Sequence, residues 1–114
     1  MAQINQLQAK IAESPYTPPS FSEAAQIVGA DVLHALIDTG EMMQVQPDVI
    51  FSRSVYDEMV DAVLGIIDAQ GGISAAVLRD RFGTSRKYAI ALLEHLDALG
   101  KTRREGDTRV RGQS

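Results

Sequence analysis

The 114-residue chain has no cysteine. That excludes a disulfide frame and a thiolate metal site, and it fits a reducing compartment, so the expected location is the cytoplasm. Long apolar runs are also missing. The longest uncharged apolar stretch is well short of the roughly 20 residues a bilayer requires, so no membrane association is expected. The opening MAQINQLQAK lacks the cationic-then-apolar layout of a signal peptide. The histidines, His34 and His95, stand apart without ligand-spaced partners, so no metal site is expected. Paired acids such as Asp57-Glu58 read as a solvated helix face. Nothing here calls for an enzyme or a cofactor.

Positive charge is scarce over the first 72 residues, where Lys10 and Arg53 face ten acids for a net −8. Residues 73–114 carry nine cations against five acids, a net +4. The overall −4 averages two unlike halves, and the asymmetry points to a polyanion partner for the C-terminal half alone. An apolar content of 45% is enough for a core and argues against disorder. At this length the chain is one ordinary domain or two very small ones.

Periodicity favours two. Ile4, Leu7 and Ile11 predict a helix over 3–14, stopped by Pro15. Ser20-Phe21-Ser22-Glu23 is a capping-box sequence opening a helix to Val28. Gly29 separates it from a third helix, Ala30 to Thr39. Strands 42–45 and 49–52 then hinge at Gln46-Pro47-Asp48. The same order recurs: a helix over 54–69, a helix capped by Ser74 with Ile73 and Leu78 as its staple, and a helix from Ser85 to Gly100. The last helix is expected to bury Ala89, Leu92, Leu93, Leu96 and Leu99. A cationic hairpin follows. Phe21 corresponds to Ile73, Gly29 to Gly83 and Gly40 to Gly100, as in a degenerate repeat. Three helices and a terminal hairpin make a winged helix. The fold class is therefore mainly α with short β-hairpins, in two tandem winged-helix modules: an acidic one, residues 1–52, acting as spacer or lever, and a basic one, residues 53–114.

The chemistry is concentrated in two places. At Ser85-Arg86-Lys87 two cations open a helix, although a helix N-terminus carries partial positive charge and disfavours them. With the free N–H groups of the first turn they form an anion site. In the hairpin, Glu105-Gly106-Asp107-Thr108 suits a two-residue loop. That register sets Arg104 opposite Arg109, Arg103 opposite Val110 and Thr102 opposite Arg111. Arg104, Arg109 and Arg111 would share one exposed face while Val110 faces the core. Like charges facing each other destabilise a strand pair, so a polyanion on that face would be the reason for them. In a DNA reader the third helix enters the major groove and needs polar side chains along it. Ala89, Ile90, Ala91 and Leu92 follow the cations instead, which leans towards a structured RNA held by helix tip and wing, with a splayed base bonded to backbone or to Asp107.

The run from Gly71 to Arg111 resembles the final winged-helix module of the bacterial selenocysteine-specific translation elongation factors, the SelB family. The likeness is carried by Leu78-Arg79-Asp80, Gly83-Thr84-Ser85-Arg86-Lys87, Leu92-Leu93-Glu94, Leu96-Asp97, Gly100, and Thr102-Arg103-Arg104 through Gly106-Asp107. It implies a C-terminal mRNA-binding fragment that recognises the selenocysteine insertion hairpin. The expected RNA surface is Arg79, Ser85, Arg86, Lys87, Arg103, Arg104, Gly106, Asp107 and Arg109. The ribosome would be reached through the parent factor, whose GTPase domains are expected to be absent; no phosphate-loop signature occurs in these 114 residues. The fragment is expected to be a monomer. A DNA-binding winged-helix regulator and a protein-interaction winged helix stand as alternatives.

Overall fold

The computed structural model describes residues 2–112, which divide into two compact units between Tyr56 and Asp57. In the first unit, α1 (Ala2–Glu13) buries Leu7 and Ile11 and stops before Pro15, whose ring and missing N–H cannot continue a helix. Ser20 caps α2 (Phe21–Val28) through the expected capping box. The Glu23 N–H donates to Ser20 Oγ at 3.1 Å, and the Ser20 N–H donates to Glu23 Oε1 at 3.2 Å. Then come α3 (Ala30–Asp38) and the antiparallel pair β1 (Met42–Gln46) and β2 (Val49–Ser52), with a register shift between Gln44 and Gln46. Leu7, Ile11, Ala24, Val28, Leu33, Met42 and Ile50 form one apolar core. Each comes from a different turn or strand of the predicted pattern, and their burial supplies the main driving force for this unit.

The second unit takes over within the first turn of α4 (Arg53–Gln70) and continues through β3 (Ile73–Ser74), α5 (Ala75–Phe82), α6 (Arg86–Ala98), β4 (Thr102–Glu105) and β5 (Thr108–Arg111). Ser74 Oγ accepts from the Val77 N–H at 3.2 Å, and Ile73 and Leu78 are both buried, so cap and staple stand as the spacing predicts. Met59, Val63 and Ile67 of α4, with Leu78, Ala89, Leu92, Leu93 and Leu96, are almost wholly buried.

Two expectations are corrected. The wing is not a two-stranded hairpin: the sheet has the order β3-β5-β4, because the extended residues before α5 pair with β5, Ile73 opposite Arg109 and Ser74 opposite Thr108. Glycine permits this approach at position 72, where a Cβ would lie 2.5 Å from Thr108 Cγ2 and 3.2 Å from the Arg109 carbonyl oxygen. Leu99 is not part of the buried stripe of α6. It is the helix C-cap, and its side chain is about half exposed; Ala91 is buried on that helix instead.

The repeat is visible in the backbone. Thr39, Gly40 and Glu41 donate to the carbonyls of Ala35, Ile37 and Leu36, and Leu99, Gly100 and Lys101 donate to those of His95, Asp97 and Leu96. Arg53 N–H donates to the Glu41 carbonyl, as Gly112 N–H does to that of Lys101, both at 3.0 Å. Phe21 N–H donates to the Asp48 carbonyl at 3.1 Å, a single bond where the second unit has the β3–β5 pairing.

Candidate nucleic-acid interface

The second unit brings three of its cations, Arg86, Arg104 and Arg109, to one pocket. α6 starts at Arg86 because Ser85 leaves the helix with extended backbone (φ −100°, ψ 164°). The Ser85 side chain makes no capping bond, and no acid occupies the first turn. The terminus thus keeps the partial positive charge of a helix start, with no carboxylate in its first turn to offset it. Ser85, Arg86 and Lys87 are all exposed; Lys87 Nζ stands 5.5 Å from the Tyr88 ring centroid. On α5, Arg79 is partly exposed and pairs with its neighbour Asp80 at 3.0 Å.

The wing has the predicted register: Thr102 opposite Arg111, Arg103 opposite Val110, Arg104 opposite Arg109 and Glu105 opposite Thr108. Gly106 takes the left-handed φ of +65° that a two-residue loop demands of its first central residue. Arg103 pairs with Glu105 on the exposed surface, and Arg104 Nε donates to the Gly106 carbonyl at 2.9 Å. Gly106 and Asp107 are exposed at the tip.

Arg109 departs from the expectation of an exposed arginine face. Its side chain is 7% exposed and forms an ion pair with Asp97 of α6, Nη2 to Oδ2 at 3.1 Å. Nε also donates to Oδ2 at 3.1 Å, while Thr102 Oγ1 donates to Oδ1 at 2.6 Å. The buried residue of β5 is therefore Arg109, and Val110, expected in the core, is only half-buried. Arg111 is held by Asp68 of α4, Nε to Oδ1 at 2.9 Å and Nη2 to Oδ2 at 2.7 Å. The Arg111 hydrogen bonds and charge hold the Asp68 carboxyl below its ordinary value, and Asp68 in turn raises Arg111. Of the opposed pair Arg104 and Arg109, Arg109 thus has a carboxylate partner and Arg104 a carbonyl inside the fold, and their facing does not by itself require a polyanion. On α6, burial lowers the His95 pKa by disfavouring its charged form.

A concave pocket of about 320 Å³ lies between α6, the start of α5 and the wing. Arg86, Ile90 and Glu94 line it from α6, Arg104, Asp107 and Arg109 from the wing, and Ser74, Ala75 and Ala76 from the third side. Of the nine predicted residues it gathers Arg86, Arg104, Asp107 and Arg109; Arg79, Ser85, Lys87, Arg103 and Gly106 are outside its lining. Sequence reading missed Glu94 and Asp97 as parts of the site. Both belong to the segments that carry the family likeness, and their i, i+3 spacing places them on one side of α6. Donors from the three arginines and acceptors from Glu94 and Asp107 thus line one concave volume at the start of α6. Among the described residues no cluster of His, Cys, Asp or Glu could hold a metal ion, and no helix is long and apolar enough to cross a membrane.

The fold is that of winged helices in tandem, the second carrying a cationic pocket between recognition helix and wing. By sequence, the family described as "Elongation factor SelB, winged helix" matches residues 65–111 of this chain. The selenocysteine-specific elongation factor of Desulfomicrobium baculatum is 28% identical over 98 residues, covering 83% of this chain and 16% of that protein. The chain thus spans about a sixth of this relative's length. Among solved structures, the mRNA-binding domain of elongation factor SelB from E. coli, in complex with SECIS RNA, superposes with a TM-score of 0.75 at 22% identity, covering 97% of each chain. A bacterial selenocysteine-specific elongation factor EF-Sec superposes with a TM-score of 0.60 at 26% identity, over 73% of this chain and 14% of that one.

Proposed function

We propose that this chain binds a hairpin of messenger RNA, the selenocysteine insertion element, as the mRNA-binding part of a translation elongation factor. The observation that carries the reading is the convergence of Arg86 from the tip of α6 with Arg104, Asp107 and Arg109 from the wing on a single pocket. Exposed Arg86 and Lys87, at the positive end of α6, hold the phosphate backbone beside the hairpin loop. The pocket takes an unstacked loop base, whose edge meets arginine donors and the Asp107 and Glu94 acceptors. Arg79 and Arg103 extend the basic surface, and Ser85 and Gly106 let the backbone approach. The Escherichia coli domain of the same fold, in complex with SECIS RNA, supports the choice of ligand.

The burial pattern of α6 disfavours a DNA regulator. Ala89, Ala91, Leu92 and Leu93 are buried, so the middle of the helix offers a major groove almost no hydrogen-bonding side chain. The acidic first unit serves as a spacer that sets the angle of the RNA-binding unit. The fragment acts as a cytoplasmic monomer without catalysis or cofactor of its own, and meets the ribosome through the GTPase-bearing remainder of the factor. The test is titration with a selenocysteine insertion hairpin, an unrelated hairpin and duplex DNA at ~0.15 M salt. Tight binding to the first alone, weakened by both Arg104→Ala and Lys87→Ala, is expected. Equal weak binding to all three would reduce the site to a generic polyanion patch.

A further inference from the structure

Arg109 is unlike the other cations of the wing. It is among the few buried polar residues of the chain, yet it lines the pocket that Arg86, Arg104 and Asp107 surround. Asp97 engages Nε and Nη2, both at 3.1 Å, and is itself steadied by Thr102 Oγ1 at 2.6 Å. A guanidinium has five N–H donors in a rigid plane. Arg109 has no further partner among the described residues. Since no buried side-chain nitrogen or oxygen is left unsatisfied among them, the remaining terminal nitrogen keeps accessible surface, on a residue that lines the pocket. The site therefore contains one arginine fixed before any ligand arrives, beside the exposed and rotamer-rich Arg86 and Arg104.

We infer that Asp97 is a positioning residue for ligand recognition: it locks Arg109 so that the free donors of the guanidinium meet hydrogen-bond acceptors on the edge of a nucleobase in the pocket. The inference rests on the RNA reading above and assigns a role within it. Two physical arguments select a base edge over a phosphate. The Asp97 carboxylate 3.1 Å away already offsets the Arg109 charge, so Arg109 supplies directional donors more than net charge. A side chain held before binding also loses no rotamer freedom when the ligand enters, which favours selectivity over general attraction. Arg86 and Arg104 remain the charge-bearing partners of the backbone.

The inference makes Asp97→Asn an informative change, because asparagine keeps an oxygen for Thr102 but turns a donor or a weaker acceptor towards Arg109. The 114-residue wild type, Asp97→Asn and Thr102→Val are titrated with the insertion hairpin and with the same hairpin carrying abasic loop nucleotides, across a salt series. With the intact loop Asp97→Asn is expected to bind about tenfold more weakly, the scale of losing one well-made arginine–base contact. With the abasic loop it should bind within about twofold of wild type. The slope of log affinity against log salt should be unchanged, because no phosphate contact is lost. Thr102→Val should show the same pattern more weakly, and it decides the matter if Asp97→Asn does not fold. An equal loss on both hairpins would make Asp97 merely structural, and a reduced salt slope would make Arg109 a phosphate contact; either overturns the inference and leaves hairpin binding intact. Wild type that fails to distinguish the insertion hairpin from an unrelated one would remove the RNA reading, and the inference with it.

Discussion

Arg111 of β5 and Asp68 of α4 form a two-bonded ion pair, Nε to Oδ1 at 2.9 Å and Nη2 to Oδ2 at 2.7 Å. With the Asp97–Arg109 pair it shows how the fold tolerates a wing strand in which arginines recur at alternate positions. Each arginine on that face is given an oxygen: Asp68 for Arg111, Asp97 for Arg109 and the Gly106 carbonyl for Arg104. The pairs differ in setting. Arg109 is buried, so losing its partner leaves a desolvated charge, whereas Arg111 and Asp68 are about half exposed and their attraction is weakened by solvent and salt.

The first prediction concerns that exposed pair. Asp68 has its pKa lowered in the fold, so the stability it contributes is present above the ordinary carboxylate range and is lost as pH falls through the folded value. Asp68→Asn should lower the unfolding temperature slightly and by a constant amount at neutral pH. The gap from wild type should close in acid below the ordinary aspartate range. Thermal melts of both proteins between pH 7 and strongly acidic buffer read this directly; a gap that widens in acid would contradict it.

A second prediction rests on Gly72. An alanine there would place its Cβ 2.5 Å from Thr108 Cγ2, pushing β3 from β5 next to Arg109. Gly72→Ala should cost about 1–3 kcal/mol, as overpacking does elsewhere, where the same change at Gly29, whose added Cβ meets no atom within 4 Å, should act only through its positive φ. Denaturant unfolding of the two variants compares them, and a neutral Gly72→Ala would mean that β3 is not tied to the wing.

A third concerns His95, whose pKa is lowered by burial although it sits in the last turn of α6, where the helix dipole favours a cation. The unfolded chain then takes up a proton at higher pH than the folded one. Stability should fall as pH drops through the ordinary histidine range and level off below the folded value. Replacing His95 by Gln should flatten that part of the pH–stability curve; an unchanged curve would assign the slope to other groups.

What the sequence made legible follows physical lines. Helices α1 to α6, the capping box at Ser20 and the wing register rested on spacing, caps and turn chemistry, which act locally and survive in the fold. The sheet order did not, because β3 is two residues long and forms only by pairing with β5, Ile73 with Arg109 and Ser74 with Thr108, a contact distant in sequence that no local pattern announces. The same limit applies to the site. Arg86, Lys87 and Arg104 could be named from charge and position alone, while Arg109 was assigned to an exposed face. Strand alternation groups residues by face, but it does not say which face meets a carboxylate such as Asp97. Leu99 was misread for a related reason, since apolar spacing continued onto the residue at which the helix caps.

A fourth prediction separates phosphate from base contacts. Arg86→Ala and Lys87→Ala each remove one exposed cation at the tip of α6, so each should reduce the salt slope of hairpin binding by about one and weaken all RNAs alike. The measurement is hairpin affinity at four or more salt concentrations. Slopes unchanged in both variants would remove the helix tip from the phosphate interface.

The fifth concerns the acidic unit. Residues 1–52 carry a net −5 and residues 53–114 a net +1, so long-range electrostatics of the acidic unit oppose RNA approach and its removal should favour it. All pocket-lining residues lie between Ser74 and Arg109. A fragment of residues 53–114 should therefore bind the insertion hairpin at least as tightly as the whole chain. At low salt, where repulsion is least screened, it should associate faster. Circular dichroism establishes first that the fragment is folded, and stopped-flow mixing at two salt concentrations then gives the rates. A folded fragment that has lost affinity would show that the acidic unit contributes to binding, and its role as a spacer would fall.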